Sequence, residues 1–317
     1  MNRIPILLDA DTGVDDAIAL IYALKSPLAE LVGVTTVSGN TSAEQAARNS
    51  LDIIKLCGME GRIPVAVGEK VTLRGEAEAP VPEIHGENGI GGAVLPASVQ
   101  KPEAEDGPDL LIRLAKEYAG ELVVVATGQL TNLAVALRRC PDLPKYVKKV
   151  VVMGGTLDAP GNRTPVAEAN IVSDPEAADL VLTSFEDVLL VGLNVTMKTM
   201  LTMDHVEKTA RLCRPENLPI VDFLRAALRH YMDFYARSNG VADSCAMHDG
   251  LAMLLALRPD FGTYRRWITR VDCSDGLCRG QIVPDRRRRP RLEGRFVEFA
   301  VDVEAEAAVN EMMRVLF

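Results

Sequence analysis

The sequence predicts an α/β protein. The expected architecture is an open, mostly parallel, doubly wound sheet with helices on both faces and a helical cap near the active-site edge. Two observations predict it. Short, nearly continuous aliphatic runs recur along the chain, as expected of parallel strands covered on both faces. Segments with helical spacing separate these runs, so strand and helix alternate. The 317 residues suit one large domain over 1–317, because no repeat, low-complexity tract or interdomain linker interrupts the pattern.

Taken in order, Ile4–Leu8 is an apolar run that ends in an acidic loop, and Asp16–Leu24 has helical spacing. Leu31–Val37 is rich in β-branched residues and stops at Ser38-Gly39-Asn40. A helix follows over Ala43–Leu56, with Thr41 or Ser42 as its N-cap and Gly58 as its terminator. Pro64–Val67, Leu122–Ala126, Val147–Met153 and Val188–Leu193 read as further buried strands. Gly75–Pro82 and Ala97–Pro108 are polar and proline-containing, and read as surface loops. Leu218–Arg237 is a long helical stretch suited to the cap. Asp272–Gly280 and Arg286–Arg289 read as turns between late strands, Phe296–Val303 alternates, and Glu304–Leu316 closes as a helix.

Composition removes several function classes. A formal charge of −9 makes the chain a poor general ligand for nucleic acid. No run of about 18 apolar residues occurs, so no membrane span is expected. The opening residues lack the apolar stretch and cleavage site of a signal peptide. Six scattered cysteines without a CxxC pair suggest neither a zinc cage nor a disulfide framework. A reducing, cytoplasmic compartment is the expectation. The run Arg286–Arg289 reads as a solvated loop or a subunit contact.

The strongest chemical signal is Asp9-Ala10-Asp11-Thr12-Gly13-Val14-Asp15-Asp16, directly after the first strand. Ligands of open α/β sheets bind beyond the carboxyl ends of strands. An N-capping turn accounts for one or two of these acids. Four acids repel one another unless something neutralises them. A divalent cation does so, and oxygen ligands select a hard ion such as Ca²⁺ or Mg²⁺. An EF-hand loop would need Gly and Glu where Val14 and Leu20 stand. A phosphohydrolase loop with Asp9 as nucleophile would need Thr where Gly13 stands.

Four weaker signals follow other segments: His85-Gly86-Glu87-Asn88-Gly89, Thr127-Gly128-Gln129-Leu130-Thr131-Asn132, Met153-Gly154-Gly155 and His248-Asp249. Each has a plain structural reading as a turn or cap. Thr131 reads as the cap of the second, and Glu168 and Asn170 would share one face of an extended segment. Together, the hydroxyl-binding side chains of Asp15, Asn40, Asn162, Glu168 and Asn170 and the acidic cluster fit a sugar held by its diol on a cation. Neither GxGxxG in the first turn nor GxxxxGK[ST] occurs.

This ordered set resembles the calcium-dependent nucleoside hydrolases, the inosine–uridine-preferring N-ribohydrolases. Their DxDxGxDD opening is matched by Asp9, Asp11, Gly13, Asp15 and Asp16. VSGN at 37–40, HGENG at 85–89, TGQLTN at 127–132, MGG at 153–155, GN at 161–162, EAN at 168–170, DPEAA at 174–178 and HD at 248–249 continue it. The resemblance implies Ca²⁺ held by Asp11, Asp16, Asp249 and the main-chain oxygen of Thr127, together with the ribose 2′- and 3′-hydroxyls and a water. It implies that Asp11 is the general base and His248 the leaving-group acid. Asp15, Asn40, Asn162, Glu168 and Asn170 would grip the ribose, Met153 would lie along the sugar, and His85 would border the pocket. A small-molecule ribonucleoside substrate and a homodimer or homotetramer are implied as well. A non-catalytic nucleoside sensor on the same fold is the alternative from another class.

Three positions depart from the family pattern. Ala169 stands where an aromatic residue is common, Asn194 where Asp is common, and Gly250 where Pro is usual. The last would loosen the loop that carries His248. Tyr231 and Tyr235, one helical turn apart, can face the base, although packing against the core is the plainer expectation for either.

Overall fold

The computed structural model describes residues 3–316. The expected single domain over 1–317 also takes in Met1, Asn2 and Phe317, which lie outside the described residues. The chain begins with β1 (Ile4–Ala10), α1 (Val14–Lys25), β2 (Ala29–Thr36), α2 (Ala43–Leu56), β3 (Val65–Val67), α3 (Pro82–His85) and α4 (Gly107–Glu117). Next come β4 (Leu122–Ala126), α5 (Thr131–Arg139), β5 (Val147–Met153), α6 (Ala169–Ser173), α7 (Pro175–Ser184), β6 (Val188–Val191) and α8 (Leu193–Thr196). The last part holds β7 (Met200–Thr202), α9 (Met203–Ala210), α10 (Leu218–Asn239), β8 (Ser244–Ala246), α11 (His248–Leu257), β9 (Gly262–Val271), β10 (Ile282–Pro284), β11 (Arg295–Val303) and α12 (Ala305–Leu316).

Among the described residues, nine strands form one sheet in the order β10-β9-β11-β6-β5-β4-β1-β2-β3. From β11 to β3 every pairing is parallel, and β9 and β10 add antiparallel pairings at one end. The aliphatic strands are buried on both faces. Ile6, Leu8 and Val125 join one hydrophobic cluster with α1, α2 and α11, whereas Leu7, Val124 and Val150 join another with α4, α5 and α7. Strand order reverses at β1, which lies between β4 and β2. The crevice beyond the carboxyl ends of β1 and β4 is therefore the place where this topology offers a ligand site.

Local chemistry sets the helix starts. Ser42 caps α2 by accepting from the Gln45 N–H at 3.2 Å. Asp174 caps α7, with Pro175 in its first turn. Asp106 caps α4, with Pro108 following. Helix α4 begins where the sequence reading ended a loop, and Leu110, Leu111, Leu114 and Ala115 form its buried face. Thr131 is not a cap: Leu130 holds that position, and the Thr131 hydroxyl donates to Asp174 Oδ2 at 2.7 Å. Helix α10 ends at Gly240, whose φ of 67° suits glycine.

All six cysteines are unpaired. No helix of the described residues is long and apolar enough to cross a membrane. Arg286 pairs with Asp158 and Arg287 with Asp285. The basic run is thus an exposed loop held by acidic partners at its first two arginines.

Candidate active site

The turn after β1 forms the floor of a cleft of about 640 Å³. Asp15 and Asp16 occupy the first turn of α1, and Asp16 accepts the Gly13 N–H at 2.8 Å, which caps that helix. Asp16 also accepts the Thr127 hydroxyl, at 2.7 Å, from the end of β4. Asn40, beyond β2, donates from its side-chain amide to both Asp11 and Asp16 at 3.1 Å, and from its backbone N–H to Asp11 at 2.7 Å. The backbone must come very close here. A Cβ on Gly39 would lie 2.1 Å from Asp11 Oδ2, and one on Gly13 would lie 2.5 Å from His85 Nδ1.

Asp249 reaches this floor from the start of α11. One carboxylate oxygen from each of Asp15, Asp16 and Asp249 lies within 4.8 Å of the other two. Asp11 lies outside that trio and joins it through the shared Asn40 amide. All four acids are buried, and no Lys or Arg among the described residues pairs with them. Burial, reinforced by the charges of Asp16 and Asp15, holds the Asp11 carboxyl well above the usual range. Burial and Asp15 push Asp16 up to about 7. Burial and the three neighbouring acids raise Asp249 strongly. Asp15 Oδ1 is buried without a hydrogen-bond partner. A hard divalent cation fits this set: the donors are oxygens and their charge is uncompensated.

The cap supplies one wall. The Tyr231 hydroxyl on α10 donates to Asp15 Oδ2 at 2.9 Å, and the Tyr235 hydroxyl lies 2.6 Å from His248 Nε2. Both tyrosines are buried, yet both line the cleft, so packing against the core is only half of their role. Phe234 joins them at the lining and puts a ring there, whereas Ala169, also at the lining, offers none. His85, at the end of α3, accepts the Val14 N–H at Nδ1, 3.1 Å away. Burial lowers the proton affinity of both His85 and His248, and the charge of Asp15 partly opposes this.

Met153, Glu168, Asn170 and Asn162 form the opposite wall. The sequence reading placed Glu168 and Asn170 in an extended segment. Instead, Glu168 is the N-cap of α6, and its carboxylate accepts the backbone N–H groups of Asn170, Gly155 and Ile171 at 2.9, 2.9 and 3.2 Å. Burial outweighs these bonds and pushes Glu168 up to about 7. Asn170 donates to the Thr127 carbonyl at 2.7 Å and to the Met153 carbonyl at 3.1 Å. Asn162 is exposed, and its Oδ1 accepts the Ala169 N–H.

The departures resolve differently. Gly250 does not loosen a loop, since it lies in the first turn of α11, where a Cβ would meet Met247, Ile18 and Met312. Asn194 donates to the Ala300 carbonyl, away from the cleft lining. Asp9 is fully buried beneath the floor, bonded to Thr35 and Asn132, which leaves no path for it to act as a nucleophile. Phe234 and Thr196 are among the lining and supporting residues that the sequence alone does not single out. Both stood inside segments, YMDFY and GLNVT, whose other residues drew attention.

Comparison with known proteins decides what such a cleft belongs to. A sequence profile described as inosine-uridine preferring nucleoside hydrolase matches residues 6–310. The chain belongs to that family. This nucleoside hydrolase is 35% identical to uridine nucleosidase 1 of Arabidopsis thaliana over 88% of this chain and 81% of that protein. It is 37% identical to the non-specific ribonucleoside hydrolase RihC of Escherichia coli (strain SE11), over 89% of this chain and 88% of that one. The solved structure of a purine-preferring ribonucleoside hydrolase from Gardnerella vaginalis superposes with a TM-score of 0.90 at 35% identity, covering 98% of each chain. The protein is a hydrolase of the N-glycosyl bond of ribonucleosides, built on the α/β fold of those relatives.

Proposed function

We propose that this nucleoside hydrolase cleaves ribonucleosides to ribose and free base with a Ca²⁺ ion held by Asp11, Asp16, Asp249 and the Thr127 carbonyl. The observation that carries the reading is the buried, uncompensated cluster of acids at the switch point of the sheet. The bound cation would supply Lewis acidity and a fixed seat for the vicinal diol of the sugar. Asp15 keeps Oδ1 free for a hydroxyl while Tyr231 holds its other oxygen. Asn40, Asn162, Glu168 and Asn170 surround the remaining hydroxyls, and Met153 lies along the sugar. His85 closes the border of the pocket.

Bond cleavage sends the glycosidic electron pair to the base nitrogen and builds positive charge on the ribose, which the surrounding carboxylates stabilise. His248 Nε2, directly or through the Tyr235 hydroxyl, gives the departing nitrogen a hydrogen bond. Water attacks C1′ and passes its proton to Asp11. The base then takes up a proton on release. The reading includes one domain over 1–317, as the uninterrupted sequence pattern suggests, a cytoplasmic location, as the unpaired cysteine pattern suggests, and a homodimer or homotetramer, as the family resemblance implies.

The test is ribose release from inosine and uridine, with and without chelator. Release that disappears on chelation and returns with Ca²⁺ supports the proposal. Release untouched by exhaustive chelation contradicts the cation. Tight nucleoside binding without release would instead favour a sensor.

A further inference from the structure

We propose that Thr196 is a positioning residue for the reaction: it fixes the tautomer and the plane of the His248 ring, so that Nε2–H faces the departing base. This rests on the reading of His248 as the donor to the leaving group. Strand β6 ends at Val191, and the single turn of α8 then carries Thr196 to the edge where the other strands deliver their site residues. Thr196 is fully buried, and its Oγ1 lies 2.8 Å from His248 Nδ1, across 52 residues of sequence. The backbone holds the pair together, because the Met247 N–H donates to the Thr199 carbonyl at 2.9 Å and β7 pairs with β8.

The direction of the bond follows from proton accounting. The Thr196 hydroxyl makes no other hydrogen bond among the described residues. If it accepted from Nδ1–H, its own proton would be buried without a partner, which costs about 1–3 kcal/mol. The Tyr235 hydroxyl, the ring's other partner, lines the cleft and can give its proton to an acceptor there, whereas Thr196 is fully buried off the cleft, so it is Thr196 that donates, to the Nδ1 lone pair. The proton of the neutral ring then sits on Nε2, the nitrogen 2.6 Å from the Tyr235 hydroxyl at the cleft lining. Removing the hydroxyl frees the ring to take the opposite tautomer or to rotate.

The experiment compares Thr196→Val, Thr196→Ser and His248→Ala with the wild-type enzyme in saturating Ca²⁺. Each is assayed on inosine, whose base needs help to leave, and on p-nitrophenyl β-D-ribofuranoside, whose phenolate departs unaided. The valine variant is nearly isosteric. It is expected to lose about tenfold in kcat on inosine, the scale of a supporting partner of a functional histidine. Its KM for inosine and its rate on the nitrophenyl riboside should stay within about twofold, and serine should restore most of the loss. A valine variant that turns over inosine normally, that loses equally on both substrates, or that serine fails to rescue overturns the proposal. If His248→Ala is impaired on inosine while Thr196→Val is not, only this inference fails. If His248→Ala spares inosine, the role of His248 falls and takes the inference with it.

Discussion

The Tyr231 hydroxyl lies 2.9 Å from Asp15 Oδ2, bonding the cap helix to an acidic turn 216 residues earlier in the chain. One wall of the cleft is thereby fastened to its floor. Hydrogen bonds to charged groups contribute about 1.5–3 kcal/mol. Replacing Tyr231 with Phe should therefore raise KM for inosine roughly tenfold. Ca²⁺ affinity should hold within about twofold, because Asp15 faces the sugar in this scheme. Steady-state kinetics and a calcium titration check both. A normal KM would show that the bond does not organise the sugar site.

In the proposed mechanism Asp11 takes the proton of the attacking water. Asp11→Ala should lower kcat by about 10²-fold or more, the lower end of what a general base supplies. Near-normal turnover in single-turnover assays of that variant would refute the assignment.

The metal-free protein should lose stability as pH rises. Burial pushes the Asp9 and Asp16 carboxyls from 3.8 up to about 6 and about 7, and Glu168 from 4.5 up to about 7. Between pH 4 and 7 the folded state then holds more protons than the unfolded one, so these groups add stability at low pH that fades through the folded values. A cation removes that penalty where it binds. Chelated protein should melt lower at pH 8 than at pH 5, and the rise on adding Ca²⁺ should be several degrees at pH 8 and small at pH 5. Differential scanning calorimetry at both pH values measures this. A calcium effect larger at pH 5 would contradict it.

Gly13 has no room for a side chain, because a Cβ would meet His85 Nδ1 at 2.5 Å and Asn40 Nδ2 at 2.8 Å. Gly13→Ala should destabilise the protein by about 1–3 kcal/mol. The displaced His85 and Asn40 should also cut kcat/KM more than the lost stability explains. Activity well below the melting temperature separates the two effects.

Much of this was legible in the sequence, for physical reasons. Buried parallel strands leave unbroken aliphatic runs, and β4 and β5 match the expected ranges Leu122–Ala126 and Val147–Met153 residue for residue. The floor was legible because four clustered acids have few structural explanations. Strand β9 was harder, since its place in the antiparallel end of the sheet, paired with the three-residue edge strand β10 only at Thr269–Val271, leaves Arg265 and Arg266 exposed and no aliphatic run to see. Glu168 misled because an N-cap and an extended residue share the same backbone region, and only the three N–H groups converging on its carboxylate tell them apart. Thr196 gave no signal of its own. A buried threonine reads as packing until the histidine 52 residues away is seen beside it.

The most direct test of the central claim is a calorimetric titration of Ca²⁺ into chelated protein, comparing wild type with Asp249→Asn. The account expects one site per chain in the wild type and an affinity at least tenfold weaker in the variant, with the melting temperature of the metal-free protein no lower. Unchanged calcium affinity in Asp249→Asn would contradict it.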